Sequence, residues 1–366
     1  MPFKPAEIAV LNVKGRNFTD WESVEVKHVF QQPPFFTFRM TCSEPTPMGS
    51  GAVGWSKMQI VPGDECQITL AGQPAFGGLV FSRQVFYNAS RHYIEIQGAS
   101  NVMSLTTAAA VTQTHEFKNV DFGQLARALL SPTRVALEVV GGMLPTHKFD
   151  RVSIVPGTSI MDVLDIHARP LGIDFTSNVK GNLVAAMGPT GGGNTFTEGK
   201  DIIEGREIIY NPDMAQALYG VGQRTGNDQQ YGPKVSHMPF FSKEGIESLG
   251  QLFLPQVHPA EIPSWSNAIP QGRVNTEFGW QQRDQVTVFV TVYGWTKADG
   301  SLWKENETYF VNSPMLIMDG SLPLTSRSVT FVQDNSVGTR TILELCNPAA
   351  LQGLIPRGSP GSTSEG

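Results

Sequence analysis

The chain has 366 residues, more than a single hydrophobic core usually serves, so two or three domains are expected. Apolar residues make up 40% and charged residues only 16%, below the ~25% of an average domain; that balance favours β structure and surfaces that become covered in an assembly. A net charge of −6 with no run of like charges excludes a protein that grips nucleic acid, and Cys42, Cys66 and Cys346 are too few and too scattered for a disulfide framework or a metal knuckle.

Residues 1–105 read as an antiparallel β-barrel of short strands. The opening segment MPFKPAEIAVLNV lacks the continuous apolar stretch of a secretory signal, and no window reaches the ~18 apolar residues of a membrane helix. The expectation is a chain made in a cytoplasm, with no membrane insertion and no glycosylation at its Asn-X-Ser/Thr triplets. Val24, Val26 and Phe30 alternate with Ser23, Glu25 and Lys27; Phe36, Phe38 and Met40 alternate with Thr37 and Arg39. Cys66, Ile68 and Leu70 alternate with Gln67 and Thr69, and Ile94 and Ile96 with Glu95 and Gln97. Period-2 alternation sends one set of side chains to a core. Turn signals separate the runs at Lys14-Gly15-Arg16-Asn17, Pro33-Pro34, Pro62-Gly63-Asp64 and Phe76-Gly77-Gly78.

Residues 106–200 change to an α+β pattern. Phe122, Leu125, Ala126 and Leu129 fall on one face of a helix over Asp121 to Leu130. A second helix runs from Ser159 to Ala168, with Ser159 and Asp162 at capping-box spacing and an apolar stripe of Ile160, Val163, Leu164 and His167. Pro170 and Gly172 end it. Strands are expected at Arg151 to Val155 and Leu183 to Ala186.

Residues 201–348 return to β, as a second barrel. Val286, Val288, Val290 and Val292 alternate along one strand, and Thr341, Leu343 and Leu345 along the last. A Pro-, Gly- and Gln-rich insertion at 223–271 interrupts this half and reads as an irregular arm over a partner. The order strand, Gly turn, Trp21, strand is echoed by Tyr293, Gly294, Trp303 and Val311, a sign of internal duplication. The Gly/Ser/Pro-rich tail, 349–366, cannot order itself by burial and would need a neighbouring chain to pin it.

Few side chains in the sequence are spaced for chemistry. His28, His92, His115, His147, His167, His237 and His258 form no ligand spacing. Ser159 reads as a helix cap and not as a nucleophile. Gly188-Pro189-Thr190-Gly191-Gly192-Gly193-Asn194 lacks the Lys-Ser/Thr pair of a phosphate loop and reads as a flexible hairpin or linker. The acidic pairs Asp162/Asp165 and Asp201/Glu204 read as solvated faces, and Trp265, Trp280, Trp295 and Trp303 as core or interface aromatics. No catalytic, cofactor or metal residue is assigned, and no enzymatic activity is expected.

Taken in order, several of these segments resemble the Mu-like phage baseplate hub family, itself related to phage late-control D proteins and to the hub part of type VI secretion spikes. The similarity rests on Val13-Lys14-Gly15-Arg16-Asn17-Phe18-Thr19-Asp20-Trp21, on Val61-Pro62-Gly63-Asp64-Glu65-Cys66, and on Phe76-Gly77-Gly78. Further along it rests on Val155-Pro156-Gly157-Thr158-Ser159, on Val292-Tyr293-Gly294-Trp295, on Asp299-Gly300-Ser301-Leu302-Trp303, and on Gly338-Thr339-Arg340-Thr341. The resemblance implies two similar barrels joined by an α/β part, in a homotrimer whose pseudo-sixfold ring adapts a sixfold tail tube to a threefold central spike. The partners implied are other copies of the chain, the central spike protein, the tail tube protein and other baseplate proteins, with genomic DNA only as passing cargo. The location implied is the tail baseplate of a virion assembled in the bacterial cytoplasm. A tail-associated peptidoglycan hydrolase and a carbohydrate- or receptor-binding tail protein are the competing readings; the first needs paired carboxylates in a cleft, the second an exposed aromatic platform.

Overall fold

The structure is a computed structural model and describes residues 7–19, 21–30, 35–41, 60–88, 92–112, 114–188, 191–209, 217–222, 228–229, 231–233, 241–244, 255–259, 268–334 and 338–347. Cys42, the Pro33-Pro34 turn, His237, Trp265 and the 349–366 tail lie outside the described residues, as do the side chains of Met40, His92 and Trp280.

The N-terminal region forms β1 (Ala9–Val13), β2 (Arg16–Phe18), β3 (Ser23–Val29), β4 (Phe35–Thr41), β5 (Glu65–Leu70), β6 (Gln73–Tyr87) and β7 (His92–Ala99). The alternation is realised: Val24, Val26, Phe36, Phe38, Cys66, Ile68, Leu70, Ile94 and Ile96 are all buried. Lys14 and Gly15 turn β1 into β2 at φ 51 and 76, the left-handed pair that matches the twist of a tight hairpin.

Phe76-Gly77-Gly78 is no turn. It lies inside the 15-residue β6. A Cβ at Gly77 would sit 2.3 Å from the Val179 carbonyl oxygen, and one at Gly78 would sit 2.2 Å from that of Ala99. These glycines permit close backbone approach, which a Gly-Gly pair signals as readily as a bend.

The middle region holds β8 (Glu116–Asp121), α1 (Phe122–Leu130), β9 (Leu137–Val140), β10 (Lys148–Ser153), α2 (Ile160–Ala168), β11 (Asp174–Ser177) and β12 (Leu183–Ala186). Asp121 caps α1: its carboxylate accepts from the Gln124 N–H while the Gln124 side chain accepts from the Asp121 N–H. Ser159 caps α2 by accepting from the Asp162 N–H at 3.0 Å. Gly172, at φ 66, closes the short 3-10 turn that follows α2. Phe122, Leu125, Leu164, Phe175 and Leu183 meet in a core of their own; burying each large apolar side chain contributes about 1.5–3 kcal/mol.

The C-terminal region holds β13 (Gly192–Thr197), β14 (Ile202–Ile209), β15 (Ala217–Val221), β16 (Phe241–Glu244), β17 (Pro255–Pro259), α3 (Ala268–Gln285), β18 (Val286–Tyr293), β19 (Thr308–Ser313), β20 (Met318–Asp319), β21 (Leu324–Asp334) and β22 (Gly338–Cys346). Two differences from the sequence reading stand out. The glycine-rich stretch expected to be a flexible hairpin or linker ends inside β13, whose Gly192, Gly193 and Asn194 open a strand paired in parallel with β19. The insertion expected to be irregular contains β16 and β17 flanking β15, and its last residues begin the 18-residue α3. Pro270 sits in the first turn of α3, where its missing N–H costs little, and Gly272 lets the helix close on the Pro170 carbonyl.

The larger difference is in how the β regions join. β21 pairs with β22 on one side and with β3 on the other, so one sheet runs β14-β18-β22-β21-β3-β4-β7-β6-β5-β1-β2. Among the described residues its two ends do not pair. The fold is mainly β with an α+β middle; among the described residues no closed barrel is found, and the strands of the two expected barrels join in one sheet with a shared core that runs from Leu11, Phe36 and Ile68 to Trp295, Tyr309 and Leu343. Alternation reports which face of a strand is buried and says nothing of which strand lies beside it.

Candidate assembly interface

Several of the histidine, acidic and cysteine side chains named above sit in local contacts. His167 Nδ1 lies 2.7 Å from the Val163 carbonyl oxygen, with its ring edge-on to Phe149. Asp165 pairs with Arg169, and Asp201 accepts from the Thr197 N–H at 3.2 Å. Asp162 occupies the first turn of α2, where the helix dipole favours it. Cys66 is buried, and desolvation followed by the nearby Asp64 charge pushes its thiol up to about 12. Among the described residues, no group of three or more His, Cys, Asp or Glu side chains is placed to hold a metal ion.

What the sheet does offer is uncovered apolar surface. β6 pairs with β5 only over Gln73 to Leu79, while β7 pairs with it from Leu79 to Tyr87. Val80 is still held on the β5 side by backbone hydrogen bonds with Gly63 and Asp64, and beyond it the outer edge of β6 has no partner strand among the described residues. Phe81 and Val85 are each 50% exposed there, and Tyr87 is 82% exposed. The hairpin is braced on its other side: Phe86 stacks on Tyr93 at 5.4 Å, and the Arg39 guanidinium lies 4.7 Å from the Tyr93 ring centre while pairing with Glu95 at 2.7 Å. The Glu95 hydrogen bond raises the Arg39 pKa against the cost of burial. A long edge strand carrying exposed apolar residues is a template for another chain unless something covers it.

A second feature is a cleft of about 610 Å³ between the sheet and the middle region. Val140, Val184, Leu302, Trp303 and Phe331 wall it, with His28, Lys304 and Glu305 among its polar lining. The two regions are stitched at its margins. The Ser100 and Ser177 hydroxyls share a 2.5 Å hydrogen bond, and Asn306 Nδ2 donates to the Gly188 carbonyl at 2.9 Å. Beneath the cleft lies a buried ion pair, Lys297 Nζ to Glu307 Oε2 at 2.5 Å, and the Tyr309 hydroxyl donates to the same carboxylate at 2.8 Å. Burial and the Glu307 charge hold the Tyr309 hydroxyl well above the usual tyrosine range. Phe196, Trp303 and Tyr309 pack ring against ring at 5.2 to 5.8 Å around this pair. Trp295, singled out in the sequence, is fully buried and donates Nε1–H to the Val332 carbonyl. The exposed edge of β6 was not singled out, because alternating apolar residues look alike whether their own chain or another covers them.

Comparison with known proteins points in one direction. Residues 8–100 match the N-terminal domain of Mu phage baseplate assembly proteins of the GpP-like type, and residues 103–187 match the second domain of gp44-like baseplate hub proteins. The chain is 22% identical over 340 residues to the baseplate hub protein gp44 of Escherichia phage Mu, covering 92% of this chain and 86% of that one. Its fold is similar to that of the 43 kDa tail protein of prophage MuSo2 from Shewanella oneidensis, with a TM-score of 0.79 at 18% identity over 94% of this chain and 99% of that one. It is also similar to the tail protein from Neisseria meningitidis MC58, with a TM-score of 0.75 at 16% identity over 96% and 100%.

Proposed function

Since the chain belongs, by its two matched domains, to the Mu-like phage baseplate hub family, we propose that it works as a homotrimer whose ring joins a sixfold tail tube to a threefold central spike and lines the path of the DNA. It acts as a structural element of the virion tail, put together in the host cytoplasm, and not as an enzyme. Its contacts are with its own copies, the central spike protein, the tail tube protein and other baseplate proteins; DNA passes through without being held. The observation that carries this reading is the β6 edge: beyond Val80 its outer side has no partner strand among the described residues, and Phe81, Val85 and Tyr87 stand exposed there, as suits a chain that is surrounded by others. The sheet shared by the N- and C-terminal strands supports it too, because a ring wall needs each subunit to behave as one rigid body.

Two measurements test the proposal. Light scattering should return three times 39.9 kDa, about 120 kDa, and electron microscopy should show a ring. A chain that stays monomeric at high concentration contradicts the trimer. The net charge of −6 supports an inner surface that repels phosphate and so lets DNA slide; a basic lumen in the imaged ring would contradict that part.

A further inference from the structure

We propose that the turn at Met315 and Ile317 of one copy docks into the Trp303-walled cleft of the next copy, head to tail. The proposal rests on the homotrimer reading and names one contact that would build it.

The turn is an apolar projection on a rigid base. It is a single 3-10 turn, Pro314–Leu316, between β19 and β20. Ser313 Oγ donates to Glu198 Oε2 at 2.5 Å and accepts from the Leu316 N–H at 3.3 Å; the Met315 N–H donates to the same Glu198 oxygen at 3.2 Å. Leu316 is buried close to Gly205. That anchoring leaves Met315 82% and Ile317 83% exposed. Ile317 sits at φ 52, a left-handed conformation that β-branched residues rarely adopt. A strained, fully anchored turn that holds two large apolar side chains in water is preorganised to bury them elsewhere, with little ordering left to lose on contact.

The cleft has the complementary character. It is walled mainly by apolar side chains and has the volume for two of them. Of its acids, Glu307 is paired with Lys297, and Glu305 lies 3.8 Å from the His28 ring. Lys304, which lines it, and Lys180, next in sequence to the lining Val179, are exposed, and neither has an ion-pair partner among the described residues. The turn carries the opposite sign, with Glu198 beneath it and the exposed Asp319 beside it. An apolar centre with an oppositely charged rim is the usual plan of a specific contact.

A chain cannot fill its own cleft this way. β19 starts at Thr308, next to the cleft-lining Glu307, and reaches the turn at Ser313, and its six residues span about 20 Å. The two features lie at opposite ends of one strand. Joining turn to cleft therefore requires another copy, and such heterologous contacts close into a ring when the rotation permits.

The test uses the full chain. Ile317→Asp and Lys304→Glu should each weaken self-association about tenfold or more, while thermal melts of the dilute protein do not fall below wild type, because both sites are exposed and aspartate tolerates the backbone at 317 at least as well as isoleucine. Lys304→Glu combined with Asp319→Lys should restore association. A mixture of Ile317→Cys and Val179→Cys proteins should form a disulfide-linked pair on mild oxidation, with residues 317 and 179 joined in the cross-linked peptide. If the wild type forms a trimer, both single variants match it and no 317–179 link appears, the docking is wrong and the trimer reading survives. An Ile317→Cys protein that links only to itself also overturns the docking, since it reports a symmetric contact. A wild type that is monomeric at every concentration overturns both.

Discussion

Val26 and Phe331 lie directly opposite each other where β3 pairs with β21, and this pairing fuses strands from the two ends of the chain into one sheet. Both side chains are buried in the common core. Phe331→Ala should therefore cost about 3–5 kcal/mol, the range for losing a buried aromatic ring. Urea unfolding would show one transition shifted to lower midpoint, because the N- and C-terminal strands unfold together. Two transitions, with only the later one unmoved, would mean that the seam is not part of a common cooperative unit.

The approach of β6 to the middle region leads to a second prediction. No room exists for a methyl group between Gly77 and the Val179 carbonyl, where a Cβ would stand at 2.3 Å. The obstacle is backbone and cannot swing aside. Gly77→Ala should destabilise the chain by about 1–3 kcal/mol, read as a lowered melting temperature. An unchanged melting temperature would show that the turn around Val179 shifts freely and is not packed on the sheet.

Some of this architecture was legible in the sequence and some was not. Thr341, Leu343 and Leu345 alternate and are all buried, because one covered face of a strand imposes period 2 regardless of its neighbours. Asp121 and Ser159 mark helix starts, since their caps are local chemistry. The β3–β21 pairing was illegible, because it joins residues some three hundred positions apart and leaves no local trace. α3 was illegible because Pro270 and Gly272 read as loop residues until the Pro170 carbonyl against which Gly272 packs is known. The edge of β6 was hidden for a further reason: its apolar side chains obey the rules of a core, and only the three-dimensional arrangement leaves them uncovered.

Acid should expose one identifiable contribution. Asp64 is nearly buried at the turn before β5; its Oδ1 pairs with Lys14 Nζ at 2.6 Å and its Oδ2 accepts from the Val61 N–H at 3.0 Å. Burial pushes the carboxyl up, but the Lys14 and Val61 hydrogen bonds outweigh it and hold it below its ordinary value of 3.8. A carboxyl depressed by folding stabilises the fold above its unfolded value and loses that contribution as pH falls through the lower folded value. Asp64→Asn should cost about 1 kcal/mol at neutral pH, and the gap between variant and wild-type melting temperatures should close as pH is lowered from 5 towards 2. A gap that is constant with pH would show that the charge of Asp64 contributes nothing.

The β6 hairpin separates folding from assembly. Val85→Lys and Tyr87→Lys alter exposed side chains, so each should change the stability of the dilute chain by less than about 0.5 kcal/mol. The same changes place charge on an apolar edge that the ring reading requires to be covered, so they should reduce the trimer fraction seen by light scattering. Lysine on that edge also discourages open-ended pairing, so aggregation should fall as well. A trimer fraction equal to wild type in both variants would place the covered surface elsewhere on the chain.

The strain at Ile317 permits a converse test, in which stability rises while association falls. Its φ of 52 is one that asparagine tolerates far better than a β-branched side chain. The side chain is 83% exposed, so replacing it removes almost no packing. Ile317→Asn should stabilise the dilute chain by up to about 1 kcal/mol, visible as a raised melting temperature. Retaining isoleucine at a position where asparagine is intrinsically better implies that something other than the stability of the single chain is served there. A lower melting temperature for Ile317→Asn would show that Ile317 contributes to the packing of its own chain, and the strain would then need no partner to explain it.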